Sequence, residues 1–79
     1  MTREEMAREF ADRLNMMKND RDLTFREISK AIEAPHSSIC RWSFGKGLPN
    51  AYSLAKLAEY LGVSADWLLG LSDEMGRET

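Results

Sequence analysis

Pro35 stands between two stretches of helical spacing, and it decides what the segment from Thr24 to Ser43 can become. Proline disfavours α geometry in the residue before it, so no helix can run on through Ala34. Upstream, Thr24 and Glu27 have the spacing of a capping box, in which the hydroxyl reaches the amide three residues on and the carboxylate reaches back. Leu23 before the cap and Ile28 after it have the spacing of a hydrophobic staple. A short helix burying Ile28, Ala31 and Ile32 is therefore expected to stop before Pro35. Pro35 itself suits the first turn of a new helix, where its missing N–H is not needed. That helix is expected to run to about Trp42 and to bury Ile39 and Trp42. The segment reads as helix, tight turn, helix.

The same signals divide the rest of the chain. Thr2 and Glu5 form another capping box and open a first helix whose apolar stripe is Met6, Phe10, Leu14 and Met17. Polar Asn19 to Asp22 ends it. Gly45, Gly47 and Pro49 mark a loop after the third helix. Asn50 caps a fourth helix with Leu54, Leu57, Ala58 and Leu61 inward and Gly62 past its end. Ser64 caps a fifth, with Val63 and Leu68 at staple spacing and Gly70 closing it. Strand-like alternation is missing, so the expected fold class is all-α, a compact bundle of five helices. With 79 residues, 43% of them hydrophobic, the chain is near the lower limit for a domain that folds unaided. A partner subunit would add stability.

Several function classes fall away. No apolar run approaches the roughly 18 residues of a membrane span, and no charged-then-apolar leader opens the chain, so a cytoplasmic protein is expected. Cys40 is the lone cysteine and makes neither an internal disulfide nor a cysteine-based metal site. No nucleophile is paired with a base and no carboxylate cluster has metal spacing, so no enzyme, metal or cofactor is expected. The net charge of −2 looks wrong for a nucleic-acid partner until the charges are placed. From Ala34 to Ala58 the charged residues are Arg41, Lys46 and Lys56, with His36 and no acid. From Glu59 onward Arg77 stands against Glu59, Asp66, Asp73, Glu74 and Glu78. A partner responds to the local field, and charges beyond about 8–10 Å are largely screened at ordinary salt.

From Leu23 to Gly45 the chain reads LTFREISKAIEAPHSSICRWSFG. This resembles the XRE family of Cro and phage-repressor helix-turn-helix domains, whose typical line there is L-S-Q-x-E-L-A-x-x-x-G-V-S-x-S-x-I-S-R-W-E-N-G-K. Phe10, Leu14, Met17 and Lys18 look like the family's first helix, and GKGLPNAYSLAKLAEYLGVSADWLLG is close to its loop and last two helices. The most specific parts are I-C-R-W followed by G-K, and L-G-V-S-x-D-W-L-L-G. The resemblance covers residues 10–70 and implies a lambda-repressor-like DNA-binding domain with its helix-turn-helix at 24–43. Residues 1–9 then form the N-terminal part of the first helix, and 71–79 a short acidic C-terminal tail.

In such a motif the second helix lies in the major groove with its N-terminal residues at base edges. The face opposite Ile39 and Trp42 presents His36, Ser37 and Arg41, with Cys40 beside them, and the resemblance makes His36, Ser37 and Arg41 the base contacts. Arg41 has two parallel donors to offer a guanine. Ser38 is expected at a base or a phosphate. Lys18 and Lys46 resemble the family's phosphate-contacting residues, with Arg26, Ser43 and the backbone amides near Phe44 adding to them. Leu69, Leu71 and Met75, with the edge of Trp67, are expected to give a homodimer contact. The function implied is a phage- or prophage-type repressor that binds a pseudo-palindromic double-stranded DNA operator as a dimer.

Departures from the family line open a second reading. Phe25 stands where the family has a phosphate-binding Gln, Ser29 where it has Ala, Glu33 where it has the turn Gly, and Ser43-Phe44 where it has Glu-Asn. Glu33 has to meet a left-handed geometry that Glu supplies poorly. Phe25 either packs beneath the third helix or stays exposed toward deoxyribose or a protein. The negative net charge, Phe25 and Phe44 would suit a protein-interaction module that keeps the fold, has little or no DNA binding, and meets an antirepressor- or antitoxin-type partner.

Overall fold

Thr2, Thr24, Asn50 and Ser64 each cap a helix through their own side chains, accepting from Glu5, Glu27, Ser53 and Trp67 amides. A computed structural model describes residues 1–76. Its elements are α1 (Arg3–Asp20), α2 (Phe25–Ile32), α3 (His36–Ser43), α4 (Ala51–Leu61) and α5 (Ala65–Leu68). Among the described residues there is no strand. Both expected capping boxes are closed in both directions: Thr2 N–H donates to Glu5 Oε1 at 2.7 Å and Thr24 N–H to Glu27 Oε1 at 2.8 Å.

Every helix also ends alike. After each, a residue in the left-handed region turns the chain, and the following N–H donates back five residues: Leu23 to Lys18, Ala34 to Ser29, Lys46 to Arg41, Val63 to Ala58 and Leu71 to Asp66. This closes carbonyls that a helix end leaves open. Gly45, Gly62 and Gly70 fill three of these positions, but Asp22 (φ 54°) and Glu33 (φ 58°) fill the other two. The demand foreseen at Glu33 is therefore real.

One core holds the helices together. Phe10, Leu14 and Met17 of α1 meet Ile28 and Ile32 of α2, Ile39 and Trp42 of α3, Leu57, Ala58 and Leu61 of α4, and Val63, Trp67 and Leu68 at the end. Phe10 and Trp42 pack edge to face with centroids 6.0 Å apart, a favoured aromatic geometry. Several local expectations are corrected. Ala31 is exposed, because only the Ile28–Ile32 row of α2 faces the core; Met6 and Leu54 are half-buried, and Ala7 and Ala11 complete the buried stripe of α1. Asn19 and Asp20 still belong to α1. Pro35 is the N-cap, not the first helical residue, and α3 runs one residue past Trp42.

Candidate nucleic-acid interface

Two buried residues aim α3. Ile39 is fully buried and Trp42 nearly so, and their spacing fixes the helix's rotation about its own axis. The opposite face is thereby outward: His36, Ser37 and Arg41 are exposed, and Ser38 and Cys40 are half-buried at its edge. Cys40 Sγ lies 3.8 Å from His36 Nδ1, one helical turn away. The three side chains expected to read bases thus share one open surface. The Arg41 guanidinium lies over the backbone of Gly47, where a Cβ would come within 3.2 Å of Nη2. Arg41 and the exposed Lys46 are joined by the loop's own hydrogen bond, Lys46 N–H to Arg41 carbonyl at 2.9 Å.

The residues expected at phosphates are more scattered in character. Arg26 is exposed on the first turn of α2, and Phe44 is 75% exposed just after α3. Ser43 is half-buried, and its hydroxyl donates to the Cys40 carbonyl at 2.7 Å. Lys18 is half-buried in the last turn of α1, with its ammonium 4.9 Å from the centroid of the Phe25 ring. That contact, with the ring's packing on the core, resolves the position of Phe25: it is half-buried beneath a lysine.

Two side chains that sequence reasoning did not single out tie α1 to the rest of the chain, Asn15 to the end of α3 and Arg13 to α5 and the segment after it. Asn15 Nδ2 donates to Ala11 and Ser43 carbonyls, both at 2.9 Å, and so ties the C-terminal end of α3 to α1. Its signal was visible: Asn15 continues the row of buried Ala7 and Ala11 at four-residue spacing. Arg13 Nη1 donates to the carbonyls of Trp67 (2.9 Å) and Ser72 (3.0 Å), and its guanidinium stands 5.0 Å from the Trp67 ring. Glu9 one turn back pairs with Arg13 at 3.4 Å, but that local pair gives no sign of the two carbonyl acceptors, which lie more than fifty residues away.

At the C-terminal end Trp67 is only 4% exposed, in the core under Arg13, so it offers no edge to a partner. Leu71 and Met75 are exposed and Leu69 is half-buried. The Ser64 N–H donates to the Met75 carbonyl at 2.9 Å, which brings the segment back against the start of α5. Among the described residues no group of three His, Cys, Asp or Glu side chains is placed to hold a metal, and no helix is long and apolar enough to cross a membrane.

The pair α2–α3, with its left-handed corner at Glu33 and outward second helix, has the form of a helix-turn-helix. No family model and no solved structure matches the chain. Among curated proteins it is 30% identical over 61 residues to the HTH-type transcriptional activator BcrR of Enterococcus faecalis. The match takes in 77% of this chain and 30% of that protein, so the chain spans less than a third of its relative's length.

Proposed function

We propose that this chain is a sequence-specific DNA-binding regulator of transcription, of the XRE, Cro-like type, and that it works without catalysis. The observation that carries the reading is the outward face of α3, where His36, Ser37 and Arg41 project from a helix locked by Ile39 and Trp42. That face belongs to the one stretch of the sequence that holds cations and no acid. The relative's name supports regulation of transcription, and it is an activator by name; a phage- or prophage-type repressor is our reading for this chain. It would act in the cytoplasm as a homodimer on a pseudo-palindromic operator, with Leu69, Leu71 and Met75 meeting across the two-fold axis. His36, Ser37 and Arg41 would contact bases, Ser38 a base or a phosphate, and Lys18, Arg26, Ser43, Phe44 and Lys46 phosphates.

Selection of duplexes from a random pool tests this directly. A recovered inverted repeat supports the reading, and a pool with no enrichment defeats it. On the recovered site, Arg41→Ala is expected to relax preference at one base pair per half-site, losing about 1–3 kcal/mol there. Lys46→Ala is expected to weaken all sequences alike and flatten the salt dependence. An equal loss on every sequence from both variants would contradict the division into base and backbone contacts.

One observation favours a second reading, a protein-interaction module facing an antirepressor-type partner: Phe44, a large apolar side chain, is the most exposed of the aromatics. A null result in the selection, with Phe44→Ser abolishing capture of a partner, would favour it.

A further inference from the structure

Lys18 and Phe25 meet across the short turn that joins α1 to α2, with the ammonium 4.9 Å from the ring centroid. The ring is fixed from below, because Phe25 is half-buried and packs against the core. An aromatic face attracts an ammonium through its quadrupole. A free lysine side chain samples many rotamers and loses that freedom when it grips a single anion. A lysine already held over a ring has given up much of it beforehand, which is the general advantage of preorganisation. The ammonium carries three donors, so those turned away from the ring stay available.

The place of this pair matters as much as its geometry. Phe25 is the first residue of α2, and the first helix of a helix-turn-helix crosses the DNA backbone while the second enters the groove. Exposed Arg26 follows it directly. We infer that Phe25 is a positioning residue whose ring holds the Lys18 ammonium ready for a DNA phosphate. Phe25 itself does not touch DNA. The inference rests on the DNA-binding reading above.

Salt titrations on a short duplex of mixed sequence test it, using wild type, Lys18→Gln, Phe25→Leu, Phe25→Tyr and the Lys18→Gln/Phe25→Leu double variant, each checked to be folded at the working temperature. Lys18→Gln is expected to reduce the log–log salt slope by roughly 0.9, the share of one phosphate. Phe25→Leu should weaken low-salt binding several-fold, Phe25→Tyr should restore it, and the double variant should bind no worse than Lys18→Gln alone. In the free proteins, the Lys18 ε-methylene protons should be shifted upfield by the ring in wild type and Phe25→Tyr but not in Phe25→Leu. Phe25→Met takes the place of Phe25→Leu if the latter does not fold. Wild-type binding by Phe25→Leu, losses that add in full in the double variant, or no ring shift in wild type would each overturn the inference. Wild type that shows the ring shift but does not bind the duplex would overturn the DNA-binding reading, and the phosphate role with it.

Discussion

Glu33 carries a backbone conformation that its side chain does not favour. A left-handed L-residue costs about 1–2 kcal/mol; the turn closes the Ser29 carbonyl, but among the described residues the side chain itself gains only an exposed hydrogen bond from the Tyr52 hydroxyl, long at 3.4 Å. Glycine would remove the strain but adds freedom to the unfolded chain worth roughly 0.4–1 kcal/mol. Glu33→Gly is therefore expected to stabilise the protein by about 1 kcal/mol, read as a higher denaturation midpoint at unchanged slope. Asp22→Gly should gain less, since a short polar side chain tolerates this region better. The strain at Glu33 was legible through the resemblance, because the family line has its turn Gly at that position, while Pro35 alone says only that a helix must end nearby. The seat of Phe25 was not, because a half-buried ring under a lysine depends on how α1 and α2 meet, and spacing within either helix leaves both alternatives open.

At the level of single helices, the start signals were the most readable feature, because a capping box involves only neighbours in sequence. The cap of α2 has a direct consequence for the interface, since it sets the entry of the helix-turn-helix. Thr24→Ala is expected to cost about 1 kcal/mol, measured by chemical denaturation. The cap of α1 makes a pH prediction. The Thr2 amide donates to the Glu5 carboxylate and holds its pKa below the ordinary 4.5. A depressed carboxylate stabilises the fold fully above that ordinary value and loses its contribution as pH falls through the lower one. The Glu5 side-chain carboxyl shift should titrate with a midpoint below that ordinary value; a midpoint at or above 4.5 would contradict it. Which face of a helix is buried was less readable where two apolar rows compete. In α2, Ala31 and Ile28 both offer helical spacing, and only packing against α4 and α3 selects the row of Ile28 and Ile32.

In the proposed dimer the two α3 helices would have to stand about one turn of DNA, roughly 34 Å, apart. Of the residues proposed for the dimer contact, Leu71 is 58% exposed, Met75 41% exposed and Leu69 half-buried. Leu71→Lys with Met75→Lys is expected to shift sedimentation toward monomer and to remove the concentration dependence of the melting temperature, while helical content is kept because neither residue is in the core. A dimer that survives both changes would place the two-fold contact elsewhere. The least legible features act at this same scale: Arg13 and Asn15 join α1 to parts of the chain far along the sequence, and no window of neighbours reveals a long-range partner. Arg13 reaches acceptors 54 and 59 residues further on, and this has a consequence for synthesis. The first helix leaves the ribosome long before the residues that close over it. Until Trp67 and Leu68 emerge, Phe10 and Leu14 have an open flank and α3 rests on an unfinished core. A message cut short before that point would therefore leave Phe10 and Leu14 with apolar surface uncovered.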